Sequence, residues 1–119
     1  MKILIADDSS FMRTILKDIV SQSNWKDAQI LEAANGIEAV SIFVAENPDL
    51  VLLDIIMPEK NGIEVLKEIG SKAPAVVIVS SVGQEEVIKQ TKSLGAKDYI
   101  VKPFDAKQVI DTVNKLMLQ

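Results

Sequence analysis

Four apolar runs, each ended abruptly by polar residues, constrain the fold of this chain more than any other feature. The runs cover residues 3–6, 50–53, 76–79 and 99–101. The polar residues that follow them are, in order, Asp7 and Asp8, Asp54, Ser80 and Ser81, and Lys102 with Pro103. Near-continuous apolar strands are typical of a parallel sheet covered on both faces. In such sheets ligands bind outside the carboxyl ends of the strands, so these polar residues are expected to meet at one edge.

Segments with helical periodicity separate the apolar runs. The first helix is expected to bury one face, consisting of Phe11, Met12, Ile15, Leu16, Ile19 and Val20, with Ser9 or Ser10 as its cap. The second helix is expected to bury Ile37, Val40, Phe43 and Val44. A less apolar run around Ile30 and Leu31 fits an edge strand.

This alternation predicts an α/β fold in which a β-α unit is repeated five times. Right-handed crossovers then give a doubly wound, five-stranded parallel sheet of order 2-1-3-4-5 with five helices, as in flavodoxin-like folds. With 119 residues and 48% hydrophobic residues, the chain is expected to form a single domain over residues 1–119.

Composition excludes several function classes. The chain has no cysteine and no histidine, which rules out disulfides, thiol chemistry, a Ser-His-Asp triad and a histidine metal cluster. The net charge is −4 and no basic stripe is present, so direct nucleic-acid binding is not expected. No signal peptide and no run of roughly 20 apolar residues is found, so a cytoplasmic protein without membrane insertion is expected.

The acidic residues Asp7, Asp8 and Asp54 are predicted to form one cluster. Two carboxylates about 5 Å apart repel by roughly 3 kcal/mol at an effective dielectric of about 20, so a cation is expected to compensate them. Hard oxygen ligands of this kind suit Mg²⁺. The alternative is that Asp7 and Asp8 only cap a helix and Asp54 only ends a strand. If they cluster, Asp8→Ala or Asp54→Ala should raise the unfolding midpoint of the metal-free protein.

Asp54 is the candidate nucleophile, because a carboxylate beside Mg²⁺ can attack phosphorus and form an aspartyl phosphate. Lys102 offers a point charge for an acidic partner or a phosphoryl oxygen. Pro103 keeps Lys102 extended, and a cis bond between them is plausible. Ser80 can donate a hydrogen bond to a phosphoryl oxygen. Taken alone, Lys102 and Ser80 are also compatible with ordinary loop residues.

Together these motifs resemble response-regulator receiver domains. The resemblance rests on Asp7-Asp8, Asp54 with Met57-Pro58 and Asn61-Gly62, Ser80, and Lys102-Pro103-Phe104, and it covers the whole chain. Residues 8–13 and 95–104 look most like the stand-alone chemotaxis regulators of this family.

The resemblance implies roles for individual residues. Asp54 would accept a phosphoryl group from a histidine kinase, and Mg²⁺ would be held by Asp8, Asp54 and the backbone carbonyl of Ile56, with help from Asp7. Lys102 would pair with the phosphoryl group. Ser80 and Tyr99 would then move inward together.

The resemblance also implies partners. The switch would remodel the face made by the fourth helix, fifth strand and fifth helix, and so alter binding of an effector such as a flagellar motor switch protein. A monomer is expected. Alternatives are a phosphorelay intermediate serving a histidine phosphotransferase, a flavodoxin-like enzyme and an inactive scaffold. Flavin binding would need a phosphate loop where Asp7 and Asp8 stand.

Two apolar residues bear on the lifetime of the phosphoryl group. Related regulators that lose it quickly often carry polar side chains at the positions of Ile56 and Val82, where these can orient water. The chain is therefore predicted to be a switch rather than an enzyme, with slow self-dephosphorylation.

Overall fold

The computed structural model describes residues 1–118, and strands and helices alternate along them. The strands are β1 (Lys2–Ala6), β2 (Gln29–Ala33), β3 (Leu50–Leu53), β4 (Val76–Ser80) and β5 (Asp98–Val101). The helices are α1 (Ser10–Ser21), α2 (Gly36–Glu46), α3 (Gly62–Ile69), α4 (Glu85–Ser93) and α5 (Ala106–Met117). All strand pairs are parallel and their order is β2-β1-β3-β4-β5, which confirms the predicted topology.

The sheet separates two apolar layers. Side chains alternate along each strand, so neighbouring residues of β1 face opposite layers. Leu4 packs in the layer under α2 and α3, and Ile5 packs in the layer under α1 and α5. β3 and β4 are buried along their whole length, as central strands between two helical layers must be. Consequently the carboxyl ends of β1 and β3 open side by side at the point where the chain reverses direction across the sheet.

Polar side chains cap the first turns of α1 and α3, and a glycine follows the end of α4. Ser9 is the cap of α1 and accepts a hydrogen bond from the Met12 amide at 3.1 Å. Asn61 and Glu64 form a reciprocal capping box at the start of α3. Gly95 follows α4 with φ of +114°, a conformation that disfavours any residue with a Cβ. The Lys102–Pro103 peptide bond is cis.

Two helix faces differ from the prediction. Phe11 is 73% exposed at the first turn of α1, although Leu16 and Val20 of the same predicted face are buried. On α2 the predicted face is wrong in part, because Ile37 and Val44 are 55% and 70% exposed. The small residues Gly36 and Ala39 are buried with Phe43 instead; Ala39 and Phe43 pack in the core, and Gly36 packs against Lys60.

Within residues 1–118, no helix is long and apolar enough to cross a membrane.

Candidate functional site

Three carboxylates converge at the carboxyl edge of the sheet. Asp7 and Asp8 follow β1, Asp54 follows β3, and the Asp54 amide donates to the Ala6 carbonyl at 2.9 Å, which fixes the two strand ends together. One carboxylate oxygen from each aspartate lies within 4.8 Å of the others. Asp7 and Asp54 are buried and Asp8 is exposed. The predicted convergence of these residues is therefore present.

Lys102 bridges two of these carboxylates. Its Nζ lies 2.8 Å from Asp7 Oδ2 and 3.1 Å from Asp54 Oδ2. Burial disfavours the charge on Lys102, but the two carboxylates outweigh burial and raise its pKa above the ordinary value. The ammonium is thus a cation supplied by the chain itself, and it offsets part of the repulsion within the acidic cluster.

The surroundings of Asp54 disfavour its ionised form. Burial, reinforced by the charge of Asp7, raises the pKa of Asp54, and the attraction of Lys102 only partly opposes this. Asp54 Oδ1 accepts a hydrogen bond from the Ile55 amide at 2.7 Å, whereas Oδ2 is contacted by Lys102. One oxygen is therefore fixed by backbone, and the other is held by a side chain that can move.

Asp7 is held from both sides by α1 and the turn that leads into it. The Ser9 amide donates to Asp7 Oδ1 at 2.9 Å, and Arg13 donates through Nη1 to the Asp7 carbonyl at 2.7 Å. Arg13 also pairs with Glu32 on the edge strand β2 at 3.0 Å. Neither Arg13 nor the Ile55 amide was predicted as part of the site. The sequence carried a hint for Arg13, which is basic and lies six residues after Asp7 in the helix that follows β1.

Ser80 and Tyr99 are joined through the backbone of Val82. Ser80 is fully buried, and its Oγ accepts a hydrogen bond from the Val82 amide at 3.2 Å. The Tyr99 hydroxyl donates to the Val82 carbonyl. Burial raises the pKa of this hydroxyl, and the Tyr99 ring packs against the layer under α2 and α3. One residue between β4 and α4 therefore connects both predicted switch residues.

The donor set fits a hard divalent cation. Two buried carboxylates and one exposed carboxylate supply oxygen ligands close together, and the exposed side leaves access to solvent. The side chain of Ile56, in the loop that follows Asp54, is 61% exposed. It therefore lies at the protein surface, two residues after the phosphoacceptor candidate.

Known proteins with similar sequence and structure agree with this geometry. A family model described as the response regulator receiver domain matches residues 3–114. The chain is 44% identical to the chemotaxis protein CheY of Listeria monocytogenes over 117 residues, covering 97% of each protein. It is 42% identical to the chemotaxis protein CheY of Thermotoga maritima, covering 97% of this chain and 96% of that protein.

A solved structure shares the fold. A chain in the crystal structure of the CheX–CheY–BeF3–Mg²⁺ complex from Borrelia burgdorferi superimposes with a TM-score of 0.90 at 34% identity. The match covers 100% of this chain and 90% of that one.

Proposed function

This chain belongs to the response regulator receiver domain family, and on that premise we propose that it is a switch controlled by phosphorylation of Asp54. Receiver domains of this kind act as phosphoacceptors rather than as classical enzymes. The observation that carries the proposal is the environment of the Asp54 carboxylate. It is 6% exposed, lies beside two other aspartates, and has one oxygen held by Ile55 and the other by Lys102.

In the proposed reaction, Asp54 Oδ2 attacks the phosphorus atom of a phosphohistidine. A new P–O bond forms while the P–N bond breaks, and the imidazole nitrogen leaves with the bonding electron pair and takes up a proton. Oδ1 stays oriented by the Ile55 amide. Lys102 exchanges its contact with Asp54 for one with a phosphoryl oxygen, so the charge on the new group meets an ammonium already in place.

Asp8 and Asp54, the backbone carbonyl of Ile56 and, directly or through water, Asp7 are the groups proposed to hold Mg²⁺. When bound, this ion neutralises the acidic cluster and binds a phosphoryl oxygen. The chemistry of the donors supports the assignment, because all of them are hard oxygen ligands. The similarity to a chain of the CheX–CheY–BeF3–Mg²⁺ complex from Borrelia burgdorferi supports it further.

The proposed readout uses Ser80 and Tyr99. A phosphoryl oxygen that attracts the Ser80 hydroxyl would draw Oγ away from the Val82 amide, and Tyr99 is bonded to the carbonyl of that same residue. A local change at Asp54 would then reach the surface formed by α4, β5 and α5 through a single residue.

The proposed setting is chemotaxis signalling in the cytoplasm, with residues 1–119 acting as one stand-alone receiver domain and a monomer. A histidine kinase would supply the phosphoryl group, and a downstream target such as a flagellar motor switch protein would bind the altered surface. The relatives named chemotaxis protein CheY support this setting over a phosphorelay intermediate or a flavodoxin-like enzyme.

Phosphorylation is tested with a small phosphodonor and Mg²⁺, followed by intact mass measurement. We expect a single phosphoryl-sized mass gain in the wild type and none in Asp54→Asn. Asp105→Asn is a matched control, because it changes a carboxylate that caps α5 outside the acidic cluster. A mass gain that persists in Asp54→Asn would place the phosphoacceptor elsewhere.

We further propose slow self-dephosphorylation. Ile56 and Val82 are apolar, so neither side chain can orient a water molecule toward the phosphoryl group. The lifetime of the phosphorylated protein in Mg²⁺ should be minutes or longer, and Ile56→Asn should shorten it. A half-life of seconds in the wild type would contradict the proposal.

A further inference from the structure

We propose that Gly36, the first residue of α2, is a positioning residue for the phosphoacceptor site. It would act by allowing the loop between β3 and α3, residues 54–61, to pack directly against the start of α2. The inference rests on the proposed function, because its consequence is a change in Mg²⁺ binding at the carboxylates.

The contact between Gly36 and this loop leaves no room for a side chain. A Cβ at position 36 would lie 1.9 Å from the Lys60 carbonyl oxygen and 2.6 Å from both the carbonyl carbon and Cβ of Lys60. The Gly36 amide also lies 3.5 Å from the Pro58 carbonyl oxygen, which accepts its hydrogen bond. Because the main obstacle is backbone, it cannot be relieved by rotating a side chain, and one of the two segments must move.

The loop is the segment that we expect to move. The start of α2 is anchored, since Ala39 and Phe43 are buried in the apolar layer that covers the sheet. In contrast, Ile56, Pro58, Glu59 and Asn61 in the loop are exposed. Glu59 adopts a φ of +70°, an unfavourable conformation for a residue with a Cβ. Asp54, Ile55 and Met57 at the start of the loop are buried. A clash at Lys60 is therefore expected to displace the exposed and locally strained part of the loop, residues 58–61, rather than the buried helix.

Two hydrogen bonds connect the far end of the loop to Asp54, so a displacement of the loop is expected to reach the acidic cluster. At its far end the Gly62 amide donates to the Ile55 carbonyl at 2.8 Å. The Ile55 amide in turn donates to Asp54 Oδ1 at 2.7 Å. The same peptide segment carries the Ile56 carbonyl proposed to bind the metal. Gly36 therefore acts indirectly: it sets the position of the segment that orients Asp54 and carries the Ile56 carbonyl, which would bind the metal.

The test compares Gly36→Ala with Gly70→Ala. Gly70 is a matched control, because a Cβ there would also strike a backbone carbonyl, that of Leu94, at 2.1 Å. It lies at the end of α3, whereas the acidic cluster lies where α3 begins, so the clash is similar but remote from the site. Circular dichroism and denaturant unfolding establish that both variants fold.

The readout is the dissociation constant for Mg²⁺ alone, measured by titration calorimetry. Gly36→Ala should weaken Mg²⁺ binding by about tenfold, as is typical when a residue that orients metal ligands is lost. Gly70→Ala should leave Mg²⁺ affinity unchanged although it loses stability. Unchanged affinity in Gly36→Ala, or equal weakening in both variants, overturns the inference.

Nuclear magnetic resonance of the wild type supplies the decisive measurement if Gly36→Ala does not fold. Mg²⁺ titration should shift the amide resonances of Gly36 and Lys60 together with those of the acidic cluster, while that of Gly70 stays in place. Unmoved Gly36 and Lys60 resonances during saturation of the site overturn the inference. Failure of the wild type to bind Mg²⁺ overturns the proposed metal site as well, so the two failures are distinguishable.

Discussion

At the residue scale, Asp54 is where function and stability conflict. A carboxylate must be ionised to attack phosphorus, yet this one is buried and lies beside another buried carboxylate. Lys102 reduces the cost without removing it, because the pKa of Asp54 remains raised by burial and by Asp7. The sequence predicted that the three carboxylates lie together, but it could not show that an ammonium from the chain already spans Asp7 and Asp54.

Asp54→Asn should stabilise the metal-free protein. The neutral amide avoids the cost of a buried charge, and Lys102 keeps its partner Asp7 at 2.8 Å. Because the pKa of Asp54 is raised, its ionised form opposes folding at neutral pH, and the free energy of unfolding of Asp54→Asn is expected to exceed that of the wild type. Urea denaturation in the presence of a chelator measures it.

Asp8→Ala is the companion variant to Asp54→Asn. Asp8 is exposed, so relief of repulsion there is screened by water and the gain should be smaller. If both variants are less stable than the wild type without metal, the carboxylates do not repel one another as their proximity implies.

The parts of the site that depend on backbone contact could not be predicted. Asp7, Asp8, Asp54 and Lys102 are visible in the sequence, because each follows an apolar strand and carries a charge. The backbone amide of Ile55 that orients Asp54 would be present with any residue type except proline, so the identity of residue 55 does not reveal this contact. The close approach of Gly36 to Lys60 joins segments distant in the chain, and only the folded structure reveals it.

At the element scale, periodicity identified every helix but not always its buried side. α2 contains apolar residues around most of its circumference, so no single stripe defines its inner face. The prediction chose the large residues Ile37 and Val44, whereas the buried positions are the smaller Ala39, which packs in the core, and Gly36, which packs against Lys60. Phe11 lies in the first turn of α1, before the buried residues Leu16 and Val20, and its side chain remains in solvent.

An ion pair joins β5 and α5, and its contribution to the free energy of unfolding depends on pH. Lys115 Nζ lies 2.7 Å from Asp98 Oδ2. Burial would raise the pKa of Asp98, but Lys115 and the Tyr99 amide outweigh burial and lower it. A lowered pKa means that the pair stabilises the protein above the ordinary pKa and that this stabilisation is lost as pH falls through the folded-state value.

Asp98→Asn should therefore reduce the free energy of unfolding at pH 7 by about 0.5 kcal/mol, a small value because Lys115 is largely exposed and screened. The difference from the wild type should vanish in acid. Urea denaturation at neutral and acidic pH measures both. Asp111→Asn, which removes an exposed pair with Lys107 on α5, is the control and should have no measurable effect. A cost that persists in acid would rule out the ion pair as its origin.

At the scale of the whole molecule, the sheet makes two apolar layers into one cooperative unit. Leu4 and Ile5 are adjacent and fully buried, yet they lie in different layers on opposite faces of β1. The same holds along β3, where Val51 and Leu52 belong to different layers. Each strand contributes side chains to both layers, so unfolding of a strand on one face exposes the apolar side chains on the other face as well.

Leu4→Ala and Ile5→Ala should each lower the free energy of unfolding by roughly 2–5 kcal/mol, because each leaves a cavity in a closed layer. Ile37→Ala is the control and should change little, since Ile37 is 55% exposed.

Trp25 packs on the layer that contains Ile5, so its fluorescence reports that layer, whereas circular dichroism reports all helices. The two probes should give coincident urea transitions in both core variants. If Leu4→Ala loses helix signal before Trp25 responds, the layers unfold separately, and a change at the carboxyl edge would then be confined to one face of the sheet. Coincident transitions would instead mean that Asp7, Asp54 and Lys102, which lie at the ends of three strands of one sheet, are held in place by both layers together.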